Sequence, residues 1–184
     1  MIDSSTPAPE HSPPARGAPL LVTAELPADV FAWADSLRRA HYPSERNRLG
    51  AHVTLLHGLP PSAEGEVRRL LARLAGRTAP EAWIVGLMDL GQGTALEVES
   101  PAMLDLHGEL AEHLRGVIQQ RDTHPPRLHV TVQNKVVPAE ARALQAELAP
   151  SLQARAFRFR GLALSHWRDE LWQMAQLYPF RGQA

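Results

Sequence analysis

The chain of 184 residues contains no cysteine. That excludes disulfides, thiolate metal centres and a cysteine nucleophile, and it fits a reducing compartment. It has no run of 18 or more apolar residues, so no membrane-spanning helix is expected. Lysine is nearly missing: of 19 basic side chains, Lys135 is the single lysine and all the others are arginine. There is no excess of either charge. A formal net charge of −1 gives no overall pull toward a long polyanion. Such a chain suits a small or end-on phosphate ligand met by local groups. Also missing are H-E-x-x-H, G-x-S-x-G and P-loop patterns, and Gly91-Gln92-Gly93 reads as a turn because it lacks the next glycine of a dinucleotide fingerprint.

What is present is an ordinary globular composition, 44% hydrophobic and 21% charged, in a chain long enough to bury a core. Residues 1–18 hold four prolines among Ser, Ala and acidic residues and read as a disordered tail. The tail lacks the charged start and apolar segment of a secretory signal, so a cytoplasmic protein is expected. Residues 19–180 read as one domain. Its predicted order is a strand at 20–26, a helix at 29–40, a strand at 51–57, a helix at 63–75 and strands at 82–90 and 94–99. A helix at 101–120, a strand at 127–137, a helix from Pro138 to about 149 and strands at 155–165 and 170–179 complete it. The unit of strand, helix, strand, strand occurs twice, which points to an internal duplication. The fold class is therefore α+β, with antiparallel sheets and helices packed outside them.

The strand that opens each unit carries the same pattern: His52-Val53-Thr54-Leu55 and His129-Val130-Thr131-Val132. Seven threonines in 184 residues give any histidine about a 4% chance (7/184) of such a neighbour. Two pairs, each in an apolar strand-like run, are therefore a signal rather than coincidence. Side chains two apart on a strand share a face, so each pattern aims an imidazole and a hydroxyl to one side. On the second strand simple alternation extends that face through Gln133 and Lys135, with Arg127 before it. Four consecutive polar positions do not face a core unpaired, so this face lines water or a ligand. By the same alternation His52 and His57 fall on opposite faces and do not chelate one ion together. Two imidazoles supply an acid and a base near neutrality. Hydroxyls, with Lys135 or an arginine, supply donors for non-bridging phosphate oxygens. No divalent ion is required.

The motif pair, 77 positions apart (129 − 52), resembles that of the 2H phosphoesterase superfamily. The strings AHVTLLHGLP and LHVTVQNKV are similar to its bacterial 2′-5′ RNA ligase-like branch. The resemblance covers about residues 19–180. It implies a bilobal fold, two antiparallel sheets facing a central cleft, and metal-independent action without a cofactor. The substrate class it implies is 2′,3′-cyclic phosphates or other RNA-end or 2′-linked phosphodiesters. By matched positions, His52 and His129 carry the acid and base roles and Thr54 and Thr131 hold the phosphate. Substrate-binding candidates are Gln133, Lys135 and Arg127. The expected partner is an RNA end or small nucleotide phosphodiester, with a monomer as the expected state. Two alternatives stay open: a 2′-5′ ligase at the same site, and a non-catalytic module binding an RNA end or nucleotide phosphate. His57, His107, His113 and His124 read as surface or structural. Trp167 and Trp172, with His166 beside one of them, are core residues first and base-stacking candidates second, and Tyr42 is a candidate for a substrate wall.

Overall fold

The computed structural model describes residues 19–182, so the expected tail at 1–18 lies outside the described residues. The order is β1 (Leu20–Glu25), α1 (Ala28–His41), β2 (Val53–Leu59), α2 (Glu64–Leu74), β3 (Glu81–Asp89) and β4 (Gly93–Glu99). It continues with α3 (Pro101–His113), β5 (His129–Asn134), α4 (Pro138–Leu148), β6 (Arg155–Arg158), β7 (Gly161–Arg168) and β8 (Leu171–Pro179). Local chemistry explains the boundaries. Val67, Leu70, Leu71 and Leu74 form a buried stripe on α2 at helical spacing. Ser100 caps α3 by accepting from the Met103 N–H at 3.3 Å, and Pro101 fills the first turn. Arg38 and Arg39 lie in the last turn of α1, where cations complement the helix dipole.

The α+β class is as expected, but the strands form one sheet rather than two. Its order is β6-β3-β4-β5-β2-β1-β7-β8, antiparallel throughout. Two four-stranded halves meet at β5 and β2 through the single pair Val53 and Val130. Each half places its His-Thr strand at this seam. The sheet must also curl. β6 and β7 stand six strand spacings apart in the order, about 29 Å if flat, yet Arg158 and Gly161 are three Cα steps apart, at most about 11 Å.

Three predicted spans change. The run at 155–165 is two strands, because the Phe159 N–H donates to Pro80 O at 3.0 Å and the Arg160 N–H to Glu25 O at 2.8 Å. Those bonds carry the chain from one half of the sheet to the other. The helix at 101–120 stops at His113, three residues before Gly116, and a 3₁₀ turn follows at Gln120–Thr123. The strand at 127–137 is shorter because Lys135 adopts the left-handed conformation, φ 63°. α1 packs against β5, and α4 packs against β4 and β3. No helix among the described residues is long and apolar enough to cross a membrane.

Candidate active site

Both His-Thr strands depart from simple alternation at the same place. On β2, Thr54 pairs with Thr23 and Leu56 with Val22, which leaves Leu55 as an extra residue. On β5, Thr131 pairs with Ala95 and Gln133 with Thr94, which leaves Val132 extra. A bulge of this kind turns the residues after it to the other face. Leu55 with Leu56, and Val132 with Gln133, are consequently both buried. His57 and Asn134 turn back toward the side of Thr54 and Thr131. Gly58 (φ 55°) and Lys135 (φ 63°) then take the left-handed conformation one residue later. The repeat is thus His52, Thr54, His57, Gly58 against His129, Thr131, Asn134, Lys135, each 77 positions apart.

These bulges correct several expectations. Gln133 does not line the cavity; it is 6% exposed, with its Oε1 3.5 Å from the Thr94 hydroxyl. Asn134 takes the cavity position. His57, expected at the surface or in a structural role on the face opposite His52, shares the cavity with His52 and Thr54. Lys135 lies past the strand end, exposed, its N–H donating to Asn134 Oδ1 at 2.8 Å. Arg127 points elsewhere, 3.7 Å from Glu97, on a separate cavity of about 340 Å³ lined by Trp83, Met88 and Pro126.

The site cavity has a volume of about 440 Å³ and contains His52, Thr54, His57, Thr131 and Asn134 among its lining side chains. His129 is not itself part of the lining, but it is close enough that its charge acts on both His52 and His57. The two motif histidines are anchored alike. His52 Nδ1 donates to Gly50 O at 2.6 Å and His129 Nδ1 to Arg127 O at 2.7 Å. A carbonyl only accepts, so each neutral ring carries its proton on Nδ1 and leaves Nε2 as the free base. Burial pushes His52 down to about 4; the Gly50 carbonyl opposes this, and the charges of Arg38, His129 and His57 add to it. His52 is therefore neutral above that pH. Burial also lowers His57, opposed by the hydrogen bond its ring donates to Asp122. That buried carboxylate accepts from the His57 ring at 3.1 Å and from its N–H at 2.7 Å.

Charge in the cavity is one-sided: Arg38, Arg46, Arg48 and Arg121 line it, and among the described residues no carboxylate does. Arg38, on α1 and 5% exposed, donates to Thr131 O and to Asn47 Oδ1, both at 2.7 Å, and lies 4.2 Å over the Tyr42 ring. The other three arginines come from the loop before β2 and the turn Gln120–Thr123. Sequence reasoning missed all four. The only signal was basic residues in YPSERNRLG, immediately before the first motif. Trp167 and Trp172, edge to face at 5.2 Å, are at the cavity wall rather than in the core, and Tyr42 lines the wall with them. Among the described residues no three His, Asp or Glu side chains gather as a metal cluster.

Residues 26–170 match the sequence profile of the 2′-5′ RNA ligase superfamily. No curated protein matches the chain. Among solved structures, TT0787 of Thermus thermophilus is similar at 19% identity and TM-score 0.60, over 90% of this chain and 100% of that one. E. coli LigT complexed with NADP+ is similar at 16% identity and TM-score 0.58, over 92% and 100%. LigT complexed with 3′-AMP gives 15% and 0.57, over 91% and 99%. At such identities the likeness is one of fold.

Proposed function

The chain belongs to the 2′-5′ RNA ligase superfamily of 2H phosphoesterases, and from that premise we propose that it is a metal-independent phosphodiesterase acting on 2′,3′-cyclic phosphates or related RNA-end or 2′-linked phosphodiesters. The observation that carries this reading is the pair of histidines, each anchored through Nδ1 to a carbonyl two residues upstream. Both Nε2 atoms are left for proton transfer. His52, neutral above about pH 4, takes the proton from the attacking water. His129 gives one to the leaving ribose oxygen, so the P–O bond opens as the new one forms, with no net change in protons. Thr54, Thr131 and the Asn134 amide donate to the non-bridging oxygens as negative charge builds there. Nucleotide ligands on LigT, 3′-AMP and NADP+, support a nucleotide phosphate as the ligand class. Of the earlier substrate-binding candidates, Gln133, Lys135 and Arg127 are not part of this proposal.

Because both proton transfers belong to imidazoles, turnover of a nucleoside 2′,3′-cyclic phosphate is expected to persist in excess EDTA. Loss of turnover on chelation, restored by a divalent cation, overturns the metal-free mechanism. Turnover confined to joining or opening 2′-5′-linked oligonucleotides selects the ligase reading at the same site. Binding without turnover selects the non-catalytic module.

The pH dependence carries a second expectation. A base that protonates near pH 4 must be neutral to act, so the acid limb of kcat/KM should fall near that value rather than near the 6.5 of a free imidazole. A limb centred at 6 to 7 in the kcat/KM profile would mean that His52 is not the base.

A further inference from the structure

A cyclic phosphodiester carries one negative charge, yet among the described residues four guanidinium groups face this cavity and no carboxylate does. The chain as a whole is at −1, so the concentration of positive charge is local. Arg38 is committed to internal partners, which accounts for one of the four. Its Nε bond holds Asn47, the residue between Arg46 and Arg48, and so ties this exposed loop to a buried anchor. Arg46 has only a loose contact with Glu45, at 3.9 Å and with both groups exposed. Arg48 has no ion-pair partner among the described residues. Two guanidinium groups two residues apart therefore meet the cavity next to Tyr42, on the side where β2 begins.

The opposite end is built differently. Asp122 grips His57 and the Gln119 side chain packs at Gly58, so Arg121 lies by the far end of β2. Trp167 is there too, since its N–H donates to Pro19 O and Leu20 pairs with Leu59. Six residues of bulged strand separate His52 from Gly58, a contour of at most about 20 Å. That length exceeds what a lone cyclic phosphate requires.

We propose that Arg46 and Arg48 form a second phosphate subsite, and that the substrate is a nucleotide or RNA end carrying at least one phosphate besides the reacting diester. The inference rests on the phosphodiesterase reading above and names the substrate class within it. Guanidinium groups pair with phosphate through short charge-assisted hydrogen bonds. A 5′-phosphomonoester brings about −1.5 to −2 further charge at pH 7, and an internucleotide diester brings −1. Either source satisfies the same subsite.

The test compares three substrates: a nucleoside 2′,3′-cyclic phosphate, the same compound with a 5′-phosphate, and a dinucleotide ending in the cyclic phosphate. For the unmodified protein kcat/KM should be about tenfold or more higher on one or both two-phosphate substrates. That ratio should collapse toward one in the Arg46→Ala/Arg48→Ala double variant. Arg142→Ala removes the same kind of charge from α4, outside the cavity, and should keep the ratio. Whichever substrate is favoured identifies the source of the second phosphate. Equal kcat/KM on all three substrates overturns the subsite while leaving the phosphodiesterase intact. If none is turned over, 2′,3′-cyclic phosphates drop out of the phosphodiesterase reading and calorimetry decides this inference alone. Binding of a nucleoside 2′,5′-bisphosphate about tenfold tighter than the 2′-phosphate keeps the subsite, and equal binding removes it.

Discussion

Replacing either His52 or His129 with glutamine is expected to lower kcat on a nucleoside 2′,3′-cyclic phosphate by about 10²–10⁴-fold, with KM changed only severalfold. Glutamine keeps a donor for the Gly50 or Arg127 carbonyl and approximates the volume, but it moves no proton. Because the two rings act in one concerted displacement, the double variant should lose little more than the worse single one. The His52 variant has its own internal control. A histidine at about 4 in the folded chain and 6.5 in the unfolded one means that the unfolded state binds more protons between those values. Stability is present above pH 6.5 and falls as pH drops toward 4, by about 3 kcal/mol for this group. His52→Gln should therefore blunt acid unfolding, measured by denaturant titration at pH 4.5 and 7, while abolishing turnover. A variant that keeps more than about a tenth of wild-type kcat removes that histidine from the proton-transfer pair.

Each motif and most of the order of the elements were legible because they depend on residues close in sequence, although the single strand expected at 155–165 is two. The bulges were not. Leu55-Leu56 and Val132-Gln133 look like ordinary strand residues, and alternation carried through them puts His57 and Gln133 on the wrong faces. A glutamine beside a buried threonine and a histidine backed by Asp122 are long-range outcomes, 39 and 65 residues apart in the chain. The joining of the sheet was equally hidden, since it rests on one pair, Val53 and Val130. The arginines escaped for a related reason. Loop residues such as Arg46, Arg48 and Arg121 have no periodicity, and only the fold reveals that they line one cavity.

Arg38→Met is expected to destabilise the fold by about 3 kcal/mol and to impair catalysis as well. The buried guanidinium donates to the Thr131 carbonyl and to Asn47. Methionine keeps most of the apolar stem but leaves that carbonyl without its donor, at about 1–3 kcal/mol, and frees Asn47 as well. For a chain of this size the loss corresponds to a fall in Tm of about 6–12 °C. The contact also ties α1, which follows the first strand of one half, to the motif strand of the other half. Releasing it should loosen the position of Thr131 relative to His52, so kcat should fall together with stability. Arg38→Lys separates the two effects. Lysine restores a cation but not the fork that serves Thr131 and Asn47 at once, so it should recover part of the stability and less of the kcat. Full recovery of both by lysine would mean that only the charge matters here. A Tm unchanged in Arg38→Met would mean that the α1–β5 contact is not a support of the site.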